Sequence, residues 1–154
     1  MCQLKDGEAG GAAGRRKRFL LAGGGTGGHI YPALAIAREL LTRHPDSEVL
    51  FIGGTRGLES ELIPREGFAF RAISVSGLKR RLSLDTLATL GQAGLGVAQS
   101  ISIVARFGPD AAIGTGGYAS GPAMLAASWL GVPVLIHEQN VVPGATNRML
   151  SGRA

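Results

Sequence analysis

The chain alternates short apolar runs with amphipathic stretches from Phe19 onward, and glycine, proline or a capping residue marks each change of period. The apolar runs predict strands at 18–22, 48–52, 69–75, 111–114 and 132–137. The stretches between them predict helices at 30–43, 58–66, 83–107 and 121–130, with a further helix beginning after Pro143. Strands and helices that alternate in this way predict a parallel α/β sheet with helices on both faces and right-handed crossovers. Ligands of such sheets bind at the carboxyl ends of the strands.

The length of 154 residues, 45% of them hydrophobic, allows one ordinary core and is short for two domains. We expect residues 1–17 to be a disordered basic leader and residues 18–154 to be a single α/β domain. The single cysteine, Cys2, provides neither a disulfide framework nor a metal cluster, which fits a reducing, cytoplasmic setting. No apolar run reaches the roughly 18 residues of a spanning helix, so neither secretion nor membrane spanning is expected.

The formal charge of +5 is weak evidence for nucleic-acid binding, because residues 1–18 carry five of the basic residues against two acids. The remainder of the chain is therefore close to neutral. The predicted helix 58–66 begins with Glu59 and Glu61, where the helix dipole favours acids.

The segment 23–29, Gly-Gly-Gly-Thr-Gly-Gly-His, lies between the first strand and the first helix and formally satisfies G-x-G-x-x-G. A dinucleotide site needs an acid after the second strand, where the sequence reads Phe-Ile-Gly-Gly-Thr at 51–55. A P-loop needs lysine where His29 stands. What remains is a loop whose backbone N–H groups and following helix N-terminus can bind an anion such as pyrophosphate.

His29 falls at the start of that helix, and the positive end of the helix dipole disfavours the protonated ring. A neutral imidazole in this position is a candidate general base. The alternative is a histidine that makes only a local hydrogen bond.

Two further polar clusters follow later strands and are expected at the same edge of the sheet. The first, 114–122, is a second glycine loop in which Tyr118 is either a packed ring or a ligand contact, and Ser120 either a helix cap or a ligand contact. The second, 137–140, is His-Glu-Gln-Asn. Here Glu138 is a second acid/base candidate, with a loop-holding role as the alternative, and His137 is interpreted as a core histidine.

The three motifs, in order and at their spacing, resemble the N-terminal domain of the MurG family of peptidoglycan glycosyltransferases. The resemblance implies the Rossmann-like N-terminal half of a two-domain GT-B fold that binds the lipid acceptor. It implies an inverting transfer of N-acetylglucosamine from UDP-N-acetylglucosamine to lipid I, giving lipid II, without a metal or other cofactor. By this resemblance His29 is the base and the glycine loops face the acceptor pyrophosphate, and the donor contacts are Thr26, Gly27, Gly28 and Asn140. Substrate contacts in the second loop are expected from Gly116, Gly117, Tyr118 and Ser120.

The stretch 78–82 gains a meaning from the same resemblance. Its apolar and cationic side chains could seat the domain peripherally on the anionic cytoplasmic face of the bacterial membrane: Leu78, Lys79, Arg80, Arg81 and Leu82. The donor-binding half of such an enzyme is not in this chain, so we expect no transferase turnover from the chain alone. The alternatives are a non-catalytic membrane-recruiting subunit of a two-chain glycosyltransferase and a nucleotide-dependent oxidoreductase domain.

Overall fold

A computed structural model describes residues 15–75 and 85–154, and for residues 85–93 it describes the backbone alone. The described part contains a five-stranded, all-parallel sheet in the order β3-β2-β1-β4-β5. Its strands are β1 (Arg18–Gly23), β2 (Glu48–Gly54), β3 (Ala69–Ile73), β4 (Ala111–Gly116) and β5 (Val134–Ile136). All five predicted strands are confirmed, and β3 and β5 are shorter than expected.

The helices fall where the sequence predicts them. They are α1 (Gly27–Arg43), α2 (Glu59–Arg65), α3 (Asp85–Phe107), α4 (Ser120–Trp129) and α5 (Ala145–Leu150), which a 3₁₀ turn, Ser151–Arg153, follows. One boundary matters for function: α1 begins at Gly27, three residues before the predicted start, so its first turn contains His29. No helix among the described residues is long and apolar enough to cross a membrane.

The core lies on both faces of the sheet, because the central strand β1 is covered on both sides. Leu20 and Ala22 pack with the apolar faces of α3 and α4, whereas Phe19 and Leu21 pack with α1 and α2. Leu20 and Leu21 are fully buried, and truncating either to alanine would cost about 2–5 kcal/mol. The near-continuous apolar run of β1 is what a strand buried on both faces requires.

The strand order places a switch point beside β1. The chain builds β2 and β3 on one side of β1 and then returns through α3 to add β4 and β5 on the other side. The loops that follow β1 and β4 therefore leave the sheet side by side, and the crevice between them is the expected ligand position in a sheet of this kind.

Candidate active site

The two glycine loops touch each other at backbone level. The N–H of Gly24 donates to the carbonyl of Gly116 at 3.3 Å. At Gly117, where φ is +84°, an added Cβ would lie 2.0 Å from the carbonyl oxygen of Gly24. Only glycine combines this backbone conformation with so close an approach, and the two loops therefore form one continuous surface.

His29 is fixed to the end of β4 by two hydrogen bonds. Its ring Nδ1 lies 2.9 Å from the carbonyl oxygen of Thr115, and the Thr115 hydroxyl donates to the His29 carbonyl at 2.7 Å. Because a carbonyl only accepts, Nδ1 carries the ring proton, and Nε2 of the neutral ring keeps a free lone pair. The histidine thus has the tautomer that a general base needs at Nε2.

Gln139 contacts the same ring nitrogen from the third motif, its side-chain amide lying 2.6 Å from Nδ1 of His29. The atom placed nearest the ring is the amide nitrogen of Gln139, which only donates, whereas the contact with the Thr115 carbonyl requires a proton on Nδ1. The two contacts agree only when the amide is flipped, so that its oxygen and the Thr115 carbonyl share the single Nδ1–H. The sequence analysis did not single out Gln139. The contact joins residues 110 positions apart, and no local pattern indicates it.

The N-terminus of α1 is open. Thr26 occupies the cap position in an extended conformation, without a side-chain hydrogen bond to the helix, and the first turn has no acidic residue. Gly27 and Gly28 provide no side chain to cover their N–H groups, and Thr26 and Gly28 are exposed. A first turn of this kind attracts an anion through its N–H groups and the helix dipole.

Glu59 lies in the first turn of α2, as the sequence predicts. Its side chain is fully buried, which the sequence analysis did not foresee. Its Oε2 accepts the N–H of Gly25 at 3.1 Å, and its Oε1 accepts the N–H of Gly54 at 3.0 Å. Ile63, one turn along α2, is also fully buried. The spacing between these two residues was the available signal that Glu59 lies on the inward face.

Tyr118 completes this arrangement. Its hydroxyl donates to Oε1 of Glu59 at 2.9 Å, and its ring lies where side chains at Gly25 and Gly54 would otherwise project. Burial first, and then the hydrogen bond and charge of Glu59, raise the pKa of Tyr118 to about 12. The ring fills the space after β2 in which a dinucleotide site would carry its ribose-binding acid.

Glu138 accepts hydrogen bonds from three residues on its own side of the site. They come from the backbone and side chain of Asn140 at 3.0 and 2.8 Å, the backbone of Gly144 at 2.9 Å and the side chain of Asn147 at 2.9 Å. The backbone bonds from Gly144 and Asn140 are the main reason that the pKa of Glu138 falls to about 2. These contacts favour the loop-holding alternative for this residue.

Ser120 and His137 each leave a buried side-chain atom without a hydrogen-bond partner among the described residues. Ser120 is the first residue of α4 and Ala119 holds the cap position, so the structure does not support the helix-cap alternative. The Ser120 hydroxyl is buried and has no partner among the described residues. His137 is half-buried, and its backbone N–H donates to the carbonyl of Gly114 at 2.8 Å. Its ring Nδ1 is buried without a partner among the described residues, so the structure does not show a satisfied core histidine.

Two further expectations fall on residues that the structure does not describe. The basic stretch 78–82 falls outside the described residues, and so does the leader up to residue 14. Within the described ranges no group of three or more His, Cys, Asp or Glu residues could hold a metal ion. A cavity of about 620 Å³ beside β5 is lined by Leu135, Asn147 and Arg148 among others, and none of its lining residues belongs to the glycine loops.

Comparison with known proteins gives a consistent match. The model of the glycosyltransferase family 28 N-terminal domain matches residues 19–154. Two curated relatives align with 87% of this chain: one from Thermoanaerobacter sp. (strain X514), which is 54% identical to it, and one from Desulforudis audaxviator, which is 56% identical. Each is named a UDP-N-acetylglucosamine–N-acetylmuramyl-(pentapeptide) pyrophosphoryl-undecaprenol N-acetylglucosamine transferase. The chain spans 37% and 36% of the length of these two relatives.

Solved structures show the same fold. The crystal structure of Acinetobacter baumannii MurG superposes with a TM-score of 0.75 at 34% identity, covering 90% of this chain and 39% of that one. A kitacinnamycin glycosyltransferase superposes with a TM-score of 0.63 at 18% identity, covering 90% of this chain and 34% of that one. The five-stranded sheet is thus the Rossmann-like N-terminal half of the GT-B architecture.

Proposed function

Since the chain belongs to glycosyltransferase family 28, whose N-terminal domain it matches over residues 19–154, we propose that it is the acceptor-binding half of an inverting glycosyltransferase. The proposed reaction transfers N-acetylglucosamine from UDP-N-acetylglucosamine to lipid I and yields lipid II. The relatives that share more than half of their aligned residues with this chain are named for a transfer of that sugar. The observation that carries the proposal is the contact of Nδ1 of His29 with the Thr115 carbonyl at 2.9 Å, which holds the ring between the two glycine loops.

In the proposed reaction, Nε2 of His29 removes the proton from the attacking hydroxyl of the acceptor sugar. The hydroxyl oxygen forms a bond to the anomeric carbon of N-acetylglucosamine, and the bond from that carbon to UDP breaks on the opposite face. UDP leaves with the electron pair, and the configuration inverts. A positioned base contributes about 10²–10⁴-fold to such a step. The Thr115 carbonyl, which accepts from Nδ1–H, stabilises the ring while it holds the second proton.

The glycine loops are proposed to bind the pyrophosphate of the acceptor. The first turn of α1 directs the N–H groups of Gly27 and Gly28 outward, and the loop at Gly116 and Gly117 continues the same surface. Backbone donors suit pyrophosphate because glycine allows it to approach the chain closely. Thr26 and Asn140, both exposed, are proposed to face the UDP-sugar, and Tyr118 to line the acceptor side. Ser120 is fully buried and is not proposed as a substrate contact.

We assign Glu138 to holding the loop that carries Asn140. A carboxylate with its pKa near 2 is too weak a base to take a proton efficiently at neutral pH. The acid that was a second candidate for the base is therefore proposed to support the site instead.

The chain is also proposed to work on the cytoplasmic face of the bacterial membrane, as a peripheral protein. The relatives are named for a pyrophosphoryl-undecaprenol acceptor, which is a lipid. The stretch 78–82 contains Lys79, Arg80 and Arg81, each of which contributes about 1 kcal/mol near an anionic surface.

A chimera tests the proposal. This chain replaces the matching segment of the Thermoanaerobacter relative, and lipid II formation is measured with a water-soluble lipid I analogue and labelled UDP-N-acetylglucosamine. We expect turnover, and we expect His29→Ala to lower kcat by about 10²–10⁴-fold with a small change in KM. The matched control is His44→Ala, which alters a histidine at the far end of α1. A His29→Ala chimera with the parent kcat would show that this histidine is not the base.

Binding by the chain alone gives a second check on the class of ligand. The lipid I analogue and inorganic pyrophosphate are expected to shift the amide signals of Gly27, Gly28 and Gly117, and NAD is expected to leave them unchanged. The reverse pattern would favour an oxidoreductase domain.

A further inference from the structure

We propose that Glu59 is a positioning residue, which holds the first glycine loop and thereby sets the place of His29; this inference rests on the proposed function of that loop. Glu59 belongs to α2, on the β2 side of the site, and is fully buried. It lies outside the three motifs that carry the family resemblance.

The first observation is the set of segments that Glu59 joins. Its two oxygens accept the N–H of Gly25 after β1, the N–H of Gly54 at the end of β2 and the hydroxyl of Tyr118 after β4. Three adjacent strand ends thus converge on a single carboxylate. No other side chain among the described residues connects all three.

The second observation is how closely the surroundings fit the carboxylate. Cβ atoms added at Gly24, Gly53 and Gly57 would lie 2.5, 2.6 and 2.1 Å from atoms of the Glu59 side chain. Four neighbouring glycines, Gly24, Gly53, Gly54 and Gly57, therefore leave a space that this side chain fills. A hydrophobic residue of similar volume would fill the same space without the free-energy cost of burying a charge. The acid is thus explained by the N–H groups that it binds rather than by packing.

The third observation links Glu59 to His29. Gly25 lies two residues before α1, with φ of +91°, and its N–H is the group that Oε2 binds. Fixing this N–H fixes the direction in which the chain enters α1, whose first turn carries Gly27, Gly28 and His29. Glu59 has no contact with His29 among those given by the structure, so its effect passes through the backbone.

Glu59→Gln is the sharpest test because it keeps the size of the side chain. Its amide NH₂ must replace either Oε1 or Oε2, so either Gly54 or Gly25 faces a donor in place of an acceptor. Glu61→Gln is the charge control, since Glu61 is exposed on the same helix. Ile63→Val is the stability control, since Ile63 is buried on the same helix, in the hydrophobic core between α1 and the sheet.

Three measurements on the 154-residue chain decide the matter: amide hydrogen exchange at Gly25 and Gly54, the ring ¹⁵N shifts of His29 and a titration with inorganic pyrophosphate. In Glu59→Gln we expect exchange at one of the two glycines to rise at least about tenfold. The His29 ring signals should move away from the Nδ1–H pattern, and pyrophosphate affinity should fall by about tenfold or more. Neither control variant should show these changes.

The proposal is overturned if Glu59→Gln changes these three quantities no more than Ile63→Val does at equal loss of global stability. Where Glu59→Gln does not fold, Glu59→Asp replaces it, since the shorter side chain reaches Gly25 and Gly54 less well while keeping the charge. Failure of the parent chain to bind pyrophosphate would count against the proposed function of the loop. The exchange rates and the ring signals would still decide the role of Glu59.

Discussion

An alanine at position 117 tests whether the two glycine loops depend on their close approach. In Gly117→Ala the new Cβ would lie 2.0 Å from the carbonyl oxygen of Gly24, on a backbone with φ of +84°. The left-handed conformation costs an L residue about 1–2 kcal/mol. Relieving the overlap costs a further ~1–3 kcal/mol, as overpacking does. We therefore expect the free energy of unfolding to fall by about 2–5 kcal/mol.

Gly67 provides a matched control. It has the same φ of +84°, but nothing lies within 4 Å of the position that its Cβ would take. Gly67→Ala thus reports the conformational cost alone, which the lower entropy of the unfolded chain offsets by about 0.4–1 kcal/mol. We expect a net loss of about 1 kcal/mol or less for this variant.

The assay is urea unfolding followed by circular dichroism for the parent and both variants. The difference between the two losses isolates the overlap between the loops. Equal losses in Gly117→Ala and Gly67→Ala would refute the idea that the loops are held against each other.

Three other predictions follow from the site. Long-range ¹H–¹⁵N spectra at alkaline pH should show His29 protonated at Nδ1; the Nε2–H pattern would contradict its bond to a backbone carbonyl. Absorbance titration should show Tyr118 ionising near pH 12; the chain has one other tyrosine, Tyr31, which is exposed. The substitution Glu59→Gln should move the pKa of Tyr118 back toward 10.0. Because folding raises this pKa, its stabilisation is complete below pH 10 and is lost as pH rises through 12. Folding lowers the pKa of Glu138 from 4.5 to about 2, so its stabilisation is present above pH 4.5 and is lost toward pH 2. Urea unfolding at a series of pH values should show that the Glu138→Gln variant lacks this loss of stability in acid. A variant with the same pH profile of stability as the parent would contradict the prediction.

The sequence predicts the sheet well because each strand is a compact apolar run. Burial of β1 on both faces leaves a signal that local reasoning can detect. The start of α1 was predicted three residues late, because helical periodicity becomes visible only at Ile30, the first buried residue of the helix. The two glycines before His29 are weak helix formers, and the contacts of the first turn with β4 are made by His29, through Thr115.

The site itself was predicted in part. The two glycine loops were expected to face one crevice, and Gly24 and Gly116 do meet there. The contacts of Glu59 and Gln139 were not predicted, and the reason differs from the one that made the predicted start of α1 late. Each depends on the packing of segments that are distant in the chain. The spacing of Glu59 from Ile63 indicates only that Glu59 lies on the inward face of α2, and it does not indicate which groups Glu59 binds.

The contact between the glycine loops also orders events in time. Gly24 and Gly117 directly follow two strands that are neighbours in space, β1 and β4. Gly117 is nevertheless synthesised about 90 residues after Gly24, which takes roughly 5–20 s at typical elongation rates. During that interval the first loop lacks the second glycine loop, because β4 has not yet been made. A nascent chain therefore contains His29 long before it can form the site between the two glycine loops. Anion binding at that site requires that β1 and β4 have paired.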